Sequence, residues 1–321
     1  MKSLKRGSAV NYRLTGRRLN SSNLQLSLIA LIPTLFVLIF NYFPMFGIII
    51  AFKNFKYNEG VFGSKWVGFD NFEFFLKSND FLNVTWNTIS LNALFIFFGV
   101  VTSVLLALLM YGVSSRMASK IYQTAVIVPY FISWVIAGYV VYAFLNPYYG
   151  ILNSFLKNFG VGVIDWYSDP EYWPYILLII SIWKSVGIDS IVYYAALMAI
   201  DTSLIEAGRI DGANNYRLNR HIILPSIVPL IVMLTILKIG KIFRADFGLF
   251  YQVTRDSAFL YEKTDVIDTY LYRTMKETSN MGVSTAIGLL QSVVGFIMIT
   301  ITKLLFVSRS VGHLIFLNSA L

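Results

Sequence analysis

Apolar positions in this chain run together instead of alternating. Residues Leu19 to Phe52, Phe81 to Ser115 and Ile121 to Leu156 contain no Asp, Glu, Lys or Arg. A helix needs roughly 20 consecutive apolar residues to cross the hydrocarbon core of a bilayer, and each stretch is long enough. The pattern predicts six spans, at Leu24–Phe52, Thr88–Tyr111, Ile121–Phe144, Pro174–Ile200, Ile222–Phe243 and Val283–Thr302. The fourth is interrupted by Lys184 and Asp189, and the fifth carries Lys238 and Lys241. Outside the spans, Trp66, Phe69, Phe72 and Leu76 recur at helical spacing, which predicts an amphipathic helix lying on the membrane surface. Asn146-Pro147-Tyr148-Tyr149-Gly150 reads as a turn. No soluble domain, repeat or low-complexity tract stands out. The expected architecture is an all-α polytopic membrane protein: a basic tail over 1–23, a six-span domain over 24–302 with a loop near 201–221, and a tail over 303–321.

Charge sets the expected sidedness. The N-terminal tail holds Lys2, Lys5, Arg6, Arg13, Arg17 and Arg18 with no acid, and the loop between spans two and three holds Arg116 and Lys120. The loop between spans four and five holds Arg209, Arg217 and Arg220, and the C-terminal tail holds Lys303 and Arg309. The segment Asn146–Trp173 sets one Lys157 against Asp165, Asp169 and Glu171. Short loops rich in Lys and Arg stay in the cytoplasm, so both termini are expected there. The first apolar run is too long for a signal-peptide core, and no small-x-small site ends it. It therefore reads as a retained span.

Composition agrees and excludes other classes. The chain is 56% hydrophobic and only 13% charged, against about a quarter charged in soluble domains. The formal charge of +9 belongs to the cytoplasmic loops of such a protein and does not call for a nucleic-acid partner. There are no cysteines and two histidines, which removes disulfides, thiolate nucleophiles and histidine-rich metal sites. No Gly-x-x-x-x-Gly-Lys-Ser/Thr phosphate loop is present, so the chain is not expected to hydrolyse ATP.

The loop between spans four and five carries the most information. Ser203 and Glu206 have the spacing of a capping box, which predicts a short helix beginning near Ser203. Leu204, Ile205 and Ala207 give it an apolar side, and Gly212 can end it in a left-handed conformation. Pro225 falls in the first turn of span five, where proline is tolerated. The result is a short amphipathic helix held between two spans.

This loop also resembles a known signature. Glu206-Ala207-Gly208, three residues, Gly212, nine residues, then Ile222-x-Leu224-Pro225 is similar to the Glu-Ala-Ala loop of ABC importer permeases, with Gly208 in place of the second alanine. Further strings resemble the oligosaccharide permeases related to lipoprotein-linked polysaccharide transporters. They are Tyr42-Phe43-Pro44-Met45-Phe46-Gly47, Trp66-Val67-Gly68-Phe69, Phe131-Ile132-Ser133-Trp134, Ala245-Asp246-Phe247-Gly248-Leu249-Phe250-Tyr251 and Thr264-Asp265-Val266-Ile267-Asp268-Thr269-Tyr270. Tyr130 stands where that family usually has histidine, and Arg255 where a small polar residue is usual. The resemblance implies a type I importer fold, alternating access and a bacterial cytoplasmic-membrane location. It implies four partners or partner sets: a second homologous permease, an ATPase dimer holding ATP and Mg, an extracytoplasmic substrate-binding lipoprotein, and an oligosaccharide. Glu206, Ala207, Gly208, Asp211, Gly212, Leu224 and Pro225 would form the ATPase-coupling element, with Glu206 facing a basic residue of the ATPase.

Charges inside spans mark pathways by default. Lys238, Lys241 and Arg244 follow at three-residue steps along one side of span five. Maltose-type relatives line the matching stretch with small and polar residues. Cations here suggest an acidic sugar, with Arg suited to forked carboxylate contacts. Alternatively, the lysines snorkel to the surface, or Lys238 pairs with Asp189. Trp183, Lys184 and Asp189 in span four and Gln291 in span six complete the candidate substrate path, with Lys184 read as a donor to sugar hydroxyls and Tyr193 and Tyr194 as packing residues. A secondary transporter would also explain Lys184 and Asp189, but not the loop from Glu206 to Pro225. An importer of a non-sugar solute would share that loop. A membrane enzyme has no nucleophile, base or metal cluster in its favour.

Overall fold

The computed structural model describes residues 21–318, with side chains described from 25 to 304. Nearly all of the basic tail 1–23, and the C-terminal side chains beyond Leu304 with Arg309 among them, fall outside the described residues. The chain divides into two units, 1–49 and 50–321.

In the first unit, α1 (Ser21–Val37) widens into a π turn at Leu38–Tyr42 and then tightens into a 3-10 segment, Phe43–Phe52, whose residues from Ile50 on belong to the second unit. Pro44 has no N–H to offer the carbonyl of Phe40, so the α-helical ladder cannot continue through it.

The second unit begins with a small hairpin. Strand β1 (Lys53–Asn54) pairs antiparallel with β2 (Lys65–Trp66), Lys53 opposite Trp66, across the single turn α2 (Gly60–Gly63). Trp66 stacks on Phe52 with ring centroids 5.6 Å apart. The helix expected from Trp66 begins only at Asp70, as α3 (Asp70–Leu76), because Gly68 turns the chain at φ +62°. Trp66 therefore lies on a strand, while Phe69 and Phe72 close over Phe52.

The bundle follows: α4 (Asp80–Tyr111), α5 (Arg116–Phe131), α6 (Trp134–Leu145), α7 (Ile151–Lys157) and α8 (Trp173–Met198). It continues with α9 (Thr202–Ile210), α10 (Asn215–Leu218), α11 (Leu224–Ile239), α12 (Tyr261–Thr264), α13 (Ile267–Glu277) and α14 (Met281–Asn318). Among the described residues five helical segments are long and apolar enough to cross a membrane: Gln25–Phe52, Asp80–Tyr111, Pro170–Met198, Asn215–Ile239 and Met281–Leu304. The third expected span is not one rod. Its two halves, α5 and α6, meet at an angle of 96°. Pro129 weakens the end of α5, and the Ser133 hydroxyl caps α6 by accepting from the Ile136 N–H at 3.3 Å. The turn read at Asn146 is present, its side-chain oxygen accepting from the N–H groups of Tyr148 and Tyr149, each at 2.9 Å.

Helix α8 is central and packs along α4, α5 and α11. In lipid, apolar side chains gain little from burial, so close backbone approach through small residues holds helices together. Gly99, Ser103 and Ala107 form such a buried stripe on α4. On α8, a Cβ added at Gly187 would lie 1.8 Å from the carbonyl oxygen of Val126, so α5 crosses α8 in direct backbone contact. Two apolar clusters occupy opposite ends of α8. Trp166, Trp173, Leu177, Leu249, Phe250 and Val253 gather at its start. Val104, Ala107, Tyr193, Leu197, Leu218 and Ile227 gather at its finish, beside α9.

Candidate functional site

The short helix predicted between spans four and five is α9, and its ends are both defined. Its N-cap is Asp201, whose carboxylate accepts from the Ser203 N–H at 2.9 Å. Hydrogen bonds from the Ser203 backbone and side chain hold the Asp201 carboxyl below its ordinary range. The helix thus starts before Ser203, and the Ser203–Glu206 capping box does not form. Asp and Ser are comparable caps, and the one two residues upstream took the position. Glu206 is left exposed and, among the described residues, makes no hydrogen bond or ion pair. At the other end the Gly212 N–H donates to the Arg209 carbonyl and the Ala213 N–H to that of Gly208, both at 3.0 Å. With Gly212 at φ +78°, this is a complete Schellman ending. Asp211, exposed, is the C-cap.

One side of α9 is anchored in the bundle. Ile205, Ala213 and Ile222 pack against the cluster that includes Tyr193, Leu197 and Leu218. The glycine at the third signature position has a steric reason: a Cβ at Gly208 would meet Leu218 and Ile222 side-chain atoms at 2.8 and 2.9 Å. The other side is open, with Ile210 86% exposed and Leu204 53% exposed. Pro225 lies in the first turn of α11, as expected. The segment before it, Asn219–Ile223, is a π turn, in which the Leu224 N–H donates to Asn219. Leu224 joins the packing behind α9.

The intramembrane charges separate into different environments. Lys238 pairs with Asp189 at 2.5 Å and ties α11 to α8. Both are partly exposed, so the pair is worth less than a fully buried one. Asp189→Asn or Lys238→Met alone is expected to lower stability by about 1–2 kcal/mol, and the double replacement by less than either. Thermal unfolding of the four proteins in detergent checks this. The result fails if the double variant is the least stable.

Lys184 is buried, at 9% exposure. Its amine donates to the carbonyls of Pro129 (3.3 Å), Tyr130 (2.9 Å) and Ile132, and lies 5.0 Å from the Trp134 ring centroid. An ammonium has three protons, and the break between α5 and α6 engages all of them. Lys184 therefore caps the negative end of α5, which differs from the expected donor to sugar hydroxyls. Gln291 also differs. It is buried and donates to the carbonyl of Phe243 and, at 3.0 Å, to the Asp268 carboxylate. Asn92, which sequence reasoning missed, donates to the carbonyls of Ile242 (2.8 Å) and Arg244 (3.2 Å). Together they satisfy the backbone where α11 ends at Ile239, short of the expected Phe243. Trp183 is 38% exposed, Tyr193 is buried, and the Tyr194 hydroxyl lies 3.2 Å from that of Ser119.

Lys241 and Arg244 follow the end of α11. The turns there close with three-residue bonds, Lys241 N–H to Lys238 and Arg244 N–H to Lys241. Both side chains are exposed, and among the described residues neither is ion-paired. The Trp134 indole nearby donates to Asp246 at 2.9 Å, joining the α5–α6 break to the segment after α11.

Three comparisons bear on this arrangement. Residues 99–309 match the family model described as binding-protein-dependent transport system inner membrane component. The chain belongs to that family. The permease is 36% identical over 270 residues to Protein LplB of Bacillus subtilis (strain 168), covering 84% of each chain. It is 34% identical over 271 residues to the polygalacturonan/rhamnogalacturonan transport system permease protein YteP of the same strain, covering 84% of this chain and 83% of that one. A solved bacterial ABC transporter involved in the import of the acidic polysaccharide alginate matches with a TM-score of 0.81 and 33% identity, over 89% of this chain and 96% of that one. The permease is a multi-pass membrane protein with the type I ABC importer fold.

Proposed function

We propose that this permease forms, with a second homologous permease, the translocation path of an ATP-driven importer for acidic oligosaccharides in the bacterial cytoplasmic membrane. The observation that carries the substrate is the pair of exposed cations Lys241 and Arg244, unpaired among the described residues and placed where α11 unwinds. Irregular backbone at membrane depth is tolerated where it is buried in protein or lines a water-filled cavity. Asn92 and Gln291 supply the first condition on one side, and the exposed cations fit the second on the other. Relatives named for polygalacturonan and alginate, both rich in carboxylates, support the same charge.

Coupling rests on α9. A binding lipoprotein delivers the sugar, and an ATPase dimer holding ATP and Mg closes against Glu206, Ala207, Ile210 and Asp211 on the open side of the helix. The anchored side then carries the movement into α8 and α11, which the Asp189–Lys238 pair joins further along. With both termini cytoplasmic, α9 is on the ATPase side.

The test is ATP hydrolysis by the reconstituted complex of both permeases, ATPase and binding protein, given neutral or uronic-acid oligosaccharides in turn. Stimulation by the acidic sugars is expected. Lys241→Gln with Arg244→Gln should reduce their uptake by about tenfold or more, as loss of charge-assisted hydrogen bonds implies. Full uptake by the double variant would return both cations to structural duty. Stimulation by neutral sugars alone would move the substrate to that class.

A further inference from the structure

A second cationic site lies well away from α9. Helix α8 runs from Trp173 toward α9, and α11 runs back over 16 residues, about 24 Å of helix. The segment that follows α11 packs on the start of α8 through Leu249, Phe250 and Val253. At this opposite end, α6 and the segment 249–256 enclose an open cavity of about 220 Å³, lined by Gly138, Tyr139, Tyr251, Gln252, Arg255 and Asp256. Drug-sized pockets occupy roughly 300–1,000 Å³, so this one has room for about one sugar ring and not for a chain. Its floor is the contact of Gly138 with the Gln252 carbonyl, where a Cβ would come within 2.6 Å.

The wall bearing the charge is strained. Arg255 and Asp256 are consecutive left-handed residues, at φ +57° and +51°, a conformation that costs non-glycine residues about 1 kcal/mol or more each. The surroundings enforce it. The Asp256 N–H donates to the carbonyl of Tyr251 at 3.2 Å. Its carboxylate accepts from the Tyr261 hydroxyl at 3.0 Å and from the Arg273 guanidinium at 3.1 Å. Arg273 also pairs with Asp265. The negative charge of Asp256 is thus answered from behind the cavity.

Arg255 has no such answer. Its guanidinium lies 4.0 Å from the Tyr142 ring centroid and is exposed. Among the described residues it donates no hydrogen bond and forms no ion pair. Stacking occupies its face and leaves the in-plane N–H fork, whose geometry matches a carboxylate. The Gln252 amide and the Tyr139 hydroxyl likewise have no partner among the described residues. Beside them, Phe247, Tyr251 and Tyr272 form an aromatic group with centroids 4.9 to 5.2 Å apart. The Lys276 amine stands 3.3 Å from the Tyr251 hydroxyl. One free fork, one free amide, one free hydroxyl and the Tyr251 ring in the cavity wall are what a single uronate residue requires: a carboxylate partner, donors for hydroxyls, and a face for the ring.

From this juxtaposition we infer that the Arg255 cavity is a subsite for one uronate residue of the transported oligosaccharide, separate from Lys241 and Arg244. The inference rests on the acidic-sugar reading and adds the place where such a sugar is first selected. Strain at Arg255 holds the fork over the cavity in advance of the ligand.

The experiment uses the full reconstituted complex and measures ATP hydrolysis against concentration of a uronic-acid oligosaccharide and of a neutral one of the same length. Arg255→Gln should raise the half-saturating concentration of the acidic sugar on the order of tenfold and leave that of the neutral sugar in place. Arg255→Lys should recover part of the loss. Lys157→Gln, on α7, controls for net charge. An Arg255→Gln complex that saturates like the wild type with the acidic sugar overturns the subsite. So does an equal weakening for both sugars, because the residue would then contact the binding protein. A wild-type complex that ignores acidic sugars altogether overturns the acidic-sugar reading itself, a result separable from either.

Discussion

Lys184→Met is expected to reduce the yield of assembled complex sharply and to lower its thermal unfolding midpoint, with transport per assembled complex much less affected. The methionine fills nearly the same volume but donates nothing. The carbonyls of Tyr130 and Ile132 then lose their donor at a break in the helix ladder, while that of Pro129 keeps only the Ile132 N–H, at 3.2 Å. A buried acceptor left without a partner costs about 1–3 kcal/mol. Removing a buried cation offsets part of that, because charge inside a membrane protein is itself expensive. The balance is a loss of about 3 kcal/mol, a large share of a typical domain stability of about 5–15 kcal/mol. An arginine in its place would keep the charge but bring a planar fork that cannot point at three converging carbonyls, so Lys184→Arg should recover only part of the loss. The opposite pattern, wild-type stability with selective loss of transport, would make Lys184 a pathway residue after all.

The same residue shows where sequence reading stopped. Lys184 sits in an apolar run, and an intramembrane charge is a functional candidate by default. Its partners lie 52 to 55 residues away in the chain, and no local pattern names them. Hydropathy averaged over a span merges Ile121 to Phe144 into one segment, so a break of two residues at Ile132 and Ser133 does not register. The signals were nonetheless present: Pro129 near the end of one helix and Ser133 as the cap of the next. Gln291 and Asn92 follow the same logic, since each serves the backbone of a distant turn. The short helix between spans four and five was legible because its determinants are local. An Asp or Ser cap, an apolar side, a left-handed glycine and a proline in the next helix all lie within one short segment. Even there the cap was misread, because Asp201 and Ser203 could both cap the helix and Asp201 does. The trio Lys238, Lys241 and Arg244 was legible as a row, but its division was not: Lys238 found Asp189 across the bundle and the other two did not.

Glu206→Lys is expected to abolish sugar-stimulated ATP hydrolysis and uptake, by more than about tenfold, in a complex of unchanged thermal stability. The prediction depends on what Glu206 does not do. It neither caps α9, a task performed by Asp201, nor pairs with any described residue of its own chain. Replacing it therefore removes nothing that holds the permease together. On the coupling reading proposed above, Glu206 faces a basic residue of the ATPase, and the reversal brings like charges into juxtaposition, a penalty of several kcal/mol, enough to prevent the two surfaces from seating. A compensating acidic replacement of the facing basic residue on the ATPase should restore coupling. Gly212→Val provides the contrast. A β-branched residue at φ +78° opposes the Schellman ending, displaces Ala213 and loosens α9 from Leu218 and Ile222. It should lower stability and coupling together. If Glu206→Lys instead behaves like Gly212→Val, losing both, the carboxylate has a structural role within the permease. If it loses neither, the open face of α9 is not where the ATPase engages.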